Sequence, residues 1–244
     1  MTITAQPTRI GLALPVLALA ALSVLIGLGV WQVERLAWKN SLIAALDARV
    51  NAPATALPAA SEWPRLNQER DEFRRVTVTV EYGSGPLAHA YTAGSPLRAD
   101  IKTPGYFVFA PATIPSGETV VVNAGFVVSR NHPWTGGRQD IVGYLRWPET
   151  PRWFIGPHDA SGSLWYVRDH RAMAVQRGWT GPVAPFYIDL ESPQPEAGVP
   201  RPGPLTVKLR NDHLGYALTW FGLAATLIGV FGGWIWSGRS RAAA

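Results

Sequence analysis

Two long apolar stretches, one near each end of the chain, dominate its pattern of hydrophobic and polar positions. They span 10–33 and 214–238, and neither contains a charged residue. Each exceeds the roughly 20 residues that an α-helix needs to cross a hydrocarbon core. The pattern therefore predicts two transmembrane helices. A cleaved secretion signal is the alternative for the first stretch, but its apolar core would be only about 7–15 residues long, so an uncleaved anchor is favoured.

Helical periodicity continues beyond the first span. Leu36, Leu46 and Val50 recur near helical spacing, which predicts a juxtamembrane helix over 34–50. The next segment, 51–64, is rich in alanine and proline, a composition that is typical of a linker.

A period of two replaces the helical period after this segment. Val76, Val78 and Val80 alternate with threonines, which predicts a half-buried strand. Asp169 and Gly178 are typical start and stop residues for a helix between them. An antiparallel sandwich or barrel is predicted, with strands at 76–80, 87–92, 106–110, 119–128, 141–147, 164–167, 186–190 and 205–209. The predicted fold class is a membrane protein of α+β type, in which two transmembrane helices flank a β-rich extracytoplasmic domain.

The basic residues outside the spans predict the topology. Arg9 precedes the first span, and Arg239 and Arg241 follow the second, so the positive-inside rule places both ends of the chain in the cytoplasm. Arg35, Lys39, Lys208 and Arg210 lie on the other side and weaken this count. The predicted order is a cytoplasmic tail (1–9), a span (10–33), a periplasmic domain (34–213), a span (214–238) and a cytoplasmic tail (239–244).

The composition argues against several function classes. The chain has no cysteine, which excludes a thiolate metal site, a CxxC redox pair and the attachment motif of c-type haem. The formal net charge is +5, but the basic residues are scattered and form no nucleic-acid motif, so membrane lipid is the favoured partner. No nucleophile elbow, zinc-protease motif or phosphate loop is present. The sequence therefore predicts a protein that is not an enzyme.

One histidine has an unusual position. His213 stands at the start of the second span, and Tyr216 and Trp220 follow it on the same side of the predicted helix. A neutral imidazole beside aromatic rings at the edge of an apolar region could serve as an axial ligand to a haem iron. The alternative is an interfacial histidine that caps the helix or contacts lipid headgroups.

Small residues in the spans suggest a helix contact. Ala225, Gly229 and Gly233 lie on one face of the second span, and Ser23 and Gly27 could offer a matching face on the first. Such faces allow close helix packing in lipid, although membrane helices are rich in glycine and alanine for general reasons as well.

Several short blocks follow one another along the chain. They are GVWQ (29–32) with Arg35, Trp38 and Lys39, PGY (104–106), VN (122–123) before Gly125, RWPE (146–149), LWYVRD (164–169) and NDHLGYALTWF (211–221). Together they resemble the surfeit locus protein one family, in its bacterial form, whose members are cytochrome c oxidase biogenesis factors of mitochondria and bacteria. Two departures are Ala124 and Phe126, where family members often carry arginine and tryptophan.

This resemblance implies an assembly factor for haem-copper cytochrome c oxidase that binds haem a and assists its insertion into subunit I. It implies that His213 binds the haem iron, and we expect Tyr216 and Trp220 to lie beside the macrocycle. The expected partners are subunit I, haem a synthase and membrane lipid. The expected location is the bacterial inner membrane, with two spans and a periplasmic domain. The alternative is a membrane scaffold that stabilises an oxidase assembly intermediate without binding haem.

Overall fold

The computed structural model describes residues 13–150, 158–159, 164–179, 181–206 and 211–242, with the side chains of 239–242 left out. Arg9, residues 207–209 of the last predicted strand, Lys208 and Arg210 lie outside the described residues, as do the side chains of Arg239 and Arg241. The chain divides into a helical unit, up to Leu42 and from Arg210 onward, and a β-rich unit, Ile43–Leu209.

The elements follow one another in an order that places a helix at each end and strands between them. A 3₁₀ helix at Ala60–Arg65 lies between the first strand and the second α-helix. The order is α1 (Ala13–Val50), β1 (Thr55–Ala56), α2 (Gln68–Asp71), β2 (Arg75–Tyr82), β3 (Ala88–Thr92), β4 (Gly105–Thr113), β5 (Thr119–Val127), β6 (Gly137–Arg146), β7 (Leu164–Trp165), α3 (His170–Arg177), β8 (Val183–Ser192) and α4 (His213–Ala242).

The two terminal helices have the length and composition of membrane spans. Their most apolar windows have a mean hydropathy of 2.4 in α1 and 1.7 in α4. The predicted juxtamembrane helix is continuous with the first span, because α1 runs without a break to Val50. Both predicted helices are therefore present, and each is long enough to cross a bilayer.

The β-rich unit contains a closed barrel. Strands β2, β6, β8, β5 and β4 pair in that order, and β2 closes the ring by pairing with β4 at Glu81–Thr113 and Tyr82–Ala112. The choice between sandwich and barrel is thus settled in favour of the barrel. The ring is antiparallel except for β5 and β8, which run parallel, as do the flanking pairs β1–β2 and β3–β7.

Most of the predicted strands are present, and so is the predicted helix. The side chain of Asp169 accepts hydrogen bonds from the first turn of α3, and Gly178 ends the helix with a left-handed φ of 67°. The described part of the last predicted strand, 205–206, has no strand structure, and β1 was not predicted.

The segment 51–64 is not a plain linker, so that prediction was wrong. It supplies β1 and most of the 3₁₀ helix, and Trp63 packs edge-on against Phe186 of β8 with ring centroids 5.4 Å apart. The indole N–H of Trp63 donates to the carbonyl of Pro58 at 2.9 Å. A few apolar side chains are enough to dock an alanine- and proline-rich segment on a barrel, and composition alone does not reveal them.

Candidate functional site

A hydrogen bond joins His213 to the opposite helix of the helical unit. His213 is the first residue of α4, and its Nδ1 lies 2.7 Å from Oε1 of Gln32 on α1. Gln32 is only 8% exposed, although it lies in a segment that is otherwise apolar. A buried amide in such a segment is costly without a partner, so the pair is a defined polar contact within the helix pair.

The chemistry of this contact assigns a proton to one ring nitrogen of His213. An amide oxygen can only accept a hydrogen bond, so Nδ1 of His213 must carry the proton and donate it to Gln32. In the neutral form of this tautomer, Nε2 keeps its lone pair. A histidine that donates from one nitrogen and offers the other is the usual arrangement of a metal-bound imidazole.

Two further contacts bring the helices together near this pair. Asn211 donates from Nδ2 to Oδ1 of Asn40 at 2.8 Å. At Gly29, a Cβ would lie 2.5 Å from the ring of Phe221, so a larger residue would have to displace this ring. Small residues at such a position let helix backbones come close in lipid.

The other two predicted site residues occupy different positions on α4. The buried line of the helix contains Ala217 and Ala224, at 2% and 4% exposure, and Trp220 is half-buried beside it. The indole N–H of Trp220 is buried and has no hydrogen-bond partner within the described part of the chain. Tyr216 is 56% exposed, because it lies about 60° around the helix from His213. Trp220 therefore faces the helix pair, and Tyr216 lies on its outer flank.

The predicted small-residue faces do not meet in this structure. Ala225, Gly229 and Gly233 are exposed, as are Ser23 and Gly27. A Cβ added at any of these three glycines would have no neighbour within 4 Å. The close approach at Gly29 uses another face of each helix, so the predicted pairing of these faces was wrong.

A buried ionic network lies in the β-rich unit. Arg146 is 6% exposed, and its Nε and Nη1 donate to Glu72 and Asp189, each at 2.8 Å. Asn123 donates to the other oxygen of Asp189 at 2.5 Å, and its own oxygen accepts from the backbone of Gly125 at 3.2 Å. Each charged group thus has a hydrogen-bonded partner, as buried charges require.

A second ion pair joins two of the sequence blocks. Arg168 donates from Nε to Glu149 at 2.8 Å, and its backbone N–H bonds the same carboxylate at 3.1 Å. Burial alone would raise the pKa of Glu149, but the Arg168 guanidinium outweighs it and holds that pKa below its usual value. Asn123, Arg146, Glu149 and Arg168 were known from the sequence only as parts of matching blocks. For Asn123 and Arg146, which are buried in β5 and β6, a polar residue inside an apolar strand run was the available signal.

Two histidines that are distant in the sequence meet in the β-rich unit. Nε2 of His89 lies 3.1 Å from Nε2 of His132, whose Nδ1 donates to the carbonyl of Pro133 at 2.9 Å. In the neutral form of His132, Nε2 therefore accepts a hydrogen bond from His89. Burial, followed by the neighbouring His132, lowers the pKa of His89 to about 4. Within the described ranges, no group of three or more histidine and acidic side chains could hold a metal ion.

Comparison with known proteins covers both the helical site and the barrel. The SURF1 family matches residues 19–225, a range that includes both Gln32 and His213. The chain belongs to the SURF1 family. It is 34% identical over 219 positions to surfeit locus protein 1 of Rattus norvegicus, covering 82% of this chain and 68% of the rat protein.

Other SURF1 relatives give the same result. The chain is 32% identical to surfeit locus protein 1 of Homo sapiens, covering 82% of this chain and 70% of the human protein. It is 30% identical to the protein of Takifugu rubripes, covering 82% of this chain and 87% of that relative. The resemblance found in the sequence blocks is therefore confirmed at the level of the family.

Proposed function

We propose that this protein is an assembly factor for haem-copper cytochrome c oxidase, which binds haem a through His213 and assists its insertion into subunit I. The observation that carries the proposal is the hydrogen bond between His213 and Gln32, at 2.7 Å. It leaves Nε2 as a free donor atom at the end of an apolar helix. Family membership supports the assembly role, through the function that the sequence blocks imply.

The residues around His213 fit an iron porphyrin. Nε2 would bind the iron, and the exposed phenol ring of Tyr216 could cover one edge of the macrocycle. The buried indole N–H of Trp220 is a donor without a described partner, and a polar group on the ligand could satisfy it. One axial histidine leaves the other face of the iron open, which suits a protein that must release its cargo.

The proposed setting is the bacterial inner membrane. Both α1 and α4 would span it, and the β-rich unit would lie in the periplasm beside membrane lipid. Subunit I would receive the haem, and haem a synthase would supply it. A ligand at the first residue of α4 would hold the haem near the membrane interface, where an apolar macrocycle with polar substituents is readily accommodated.

An absorption spectrum tests the binding step. The protein would be purified in detergent from cells that make haem a, as wild type, His213→Ala and His132→Ala. Wild type and His132→Ala should carry haem a, whereas His213→Ala should lose it or show a shifted spectrum. His132 lies in the β-rich unit and serves as the matched histidine control. Equal haem content and identical spectra in all three proteins would contradict the proposed ligand.

The scaffold alternative has one observation in its favour. Gly229 and Gly233 are exposed on α4 with no neighbour near their Cβ positions, so this face is available to another membrane helix. A scaffold would stabilise subunit I without carrying haem. Negligible haem a in well-folded wild type, together with full oxidase assembly by His213→Ala, would favour this second function.

A further inference from the structure

Gln32 is the second half of the His213 contact, and no role follows for it from the proposed function alone. It lies on the apolar helix α1, it is 8% exposed, and its Oε1 meets Nδ1 of His213 at 2.7 Å. Its neighbours along the same face are Gly29 and Leu36, neither of which has a polar side chain. The glutamine is thus the group on this stretch of α1 that is equipped to orient the imidazole.

Orientation matters because a neutral imidazole has two tautomers. A free histidine ring favours the form with the proton on Nε2, which would occupy the nitrogen that must bind the iron. An amide oxygen at Nδ1 selects the opposite tautomer, and it also limits rotation of the ring about its side-chain bonds. Both effects prepare Nε2 before any ligand arrives.

We propose that Gln32 is a positioning residue that holds His213 as the Nδ1–H tautomer and sets the strength of its bond to haem iron. This inference rests on the proposed function, because it concerns the same site. Gln32 acts through His213 and does not itself touch the iron.

The amide of Gln32 also explains how the site can bind haem a and still release it. A carboxylate at this position would pull harder on the Nδ1 proton and make Nε2 a stronger electron donor to iron. A neutral amide orients the ring without this added donation. Glutamine therefore favours an intermediate affinity, which a carrier that hands its cargo to another protein requires.

The tautomer of His213 can be determined by NMR on the haem-free protein. Long-range ¹H–¹⁵N correlation spectra of ¹⁵N-histidine-labelled protein in nanodiscs would be recorded for wild type, Gln32→Leu and Asn40→Leu, with His213→Ala to assign the signal. Wild type and Asn40→Leu should show His213 as the Nδ1–H tautomer, and Gln32→Leu should shift it towards Nε2–H. Asn40→Leu is the matched control, because it removes the neighbouring bond to Asn211 and leaves the imidazole contact in place.

Binding of haem a supplies the second readout. Gln32→Leu should weaken binding about 10-fold, the lower end of the effect of removing a partner of a metal ligand. Gln32→Glu keeps an acceptor, so it should restore binding, lower the reduction potential of the bound haem and slow its release. Asn40→Leu should bind as wild type does.

The two proposals fail in different ways. If wild type without haem shows the Nε2–H tautomer, or if Gln32→Leu leaves the tautomer and the affinity unchanged, the positioning role of Gln32 is wrong, whether or not haem a binds at His213. If the tautomer changes as expected but none of the proteins takes up haem a, the proposed function is wrong and the orientation of His213 by Gln32 stands.

Discussion

The helical unit and the β-rich unit treat their buried polar groups differently. In the β-rich unit, Arg146 is held by Glu72 and Asp189, and Asp189 is held again by Asn123. In the helical unit, the described partner of His213 is a single amide, Gln32. The network joins four polar and charged side chains, whereas the single contact leaves one nitrogen of the imidazole unused. The ionic network is thus suited to stability, and the helical contact is suited to the ligand that we propose for it.

The largest expected effect comes from breaking the buried ionic network. Arg146→Met should destabilise the β-rich unit by about 3–5 kcal/mol, because it leaves the carboxylates of Glu72 and Asp189 buried without their cation. The free energy of unfolding of wild type and variant would be measured by denaturant titration, followed by near-UV circular dichroism.

An ion pair whose cation is exposed is the control for that substitution. The side chain of Arg70 is 62% exposed, and its buried partner Asp71 keeps Arg74 and the backbone N–H of Asn67, so Arg70→Gln should cost less than about 1 kcal/mol. An equal loss of stability for Arg70→Gln and Arg146→Met would show that burial of the network does not matter.

A smaller effect should follow acidification. His170 is fully buried and donates from Nε2 to the carbonyl of Ala184, and burial lowers its pKa to about 4. The unfolded chain, with a histidine pKa near 6.5, binds a proton that the folded chain excludes. Stability should therefore fall as the pH drops from about 6.5 to 4, by up to about 3 kcal/mol from His170, with a further loss from His89.

Thermal unfolding of wild type and His170→Gln between pH 7 and pH 4.5 measures this loss. Glutamine can keep a donor near Ala184 but does not titrate in this range. The melting temperature of the variant should depend less on pH than that of wild type, although it starts lower. Parallel pH profiles for the two proteins would rule out His170 as a source of the acid sensitivity.

The contact between α1 and α4 should be weakened by a leucine at one glycine of α1 and unaffected by a leucine at another. Gly29→Leu forces a side chain into the ring of Phe221 and should destabilise the helix pair by about 1–3 kcal/mol, whereas Gly27→Leu has open space. Because the chain has no cysteine, fluorophores can be placed on cysteines introduced at the exposed positions Ser23 and Ala225. Loss of energy transfer between the fluorophores during an SDS titration then reports the separation of α1 from α4. Equal behaviour of the two variants would contradict the close approach at Gly29.

The smallest effect is expected at the unpartnered face of α4. Gly229→Leu with Gly233→Leu should change the stability of the helix pair by no more than about 0.5 kcal/mol and leave bound haem a unchanged. The same SDS titration measures the stability of the helix pair, and an absorption spectrum measures the bound haem a. A large loss of helix-pair stability would mean that this face packs against α1.

Much of the fold could be predicted from the sequence because its signals are local. The apolar lengths of the spans, the alternation of Val76, Val78 and Val80, and the cap residues of α3 each follow from a few neighbouring positions. Closure of the barrel by β2 and β4, and the parallel pairing of β5 with β8, depend on positions far apart in the chain. Trp63 was missed for the same reason, since its partner Phe186 belongs to the last strand.

In the candidate site, too, local features could be predicted from the sequence and long-range contacts could not. The position of His213 at the start of a span is a local signal, and it was enough to single the residue out. Its partner Gln32 lies on the other helix, and nothing in the neighbourhood of either residue indicates their contact. The exposure of Tyr216 and the partial burial of Trp220 also depend on how α1 packs against α4, which one helix cannot reveal.

Transfer of haem a to subunit I is the most direct test of the central claim. Wild-type protein loaded with haem a would be mixed with oxidase subunit I that lacks it, in nanodiscs, and the spectrum of the re-isolated subunit I would be followed in time. His213→Ala incubated with the same amount of haem a is the comparison. We expect subunit I to gain haem a from wild type and to gain little from the variant. Equal uptake from both, at the rate seen with free haem a alone, would contradict a role for His213 in carrying the haem.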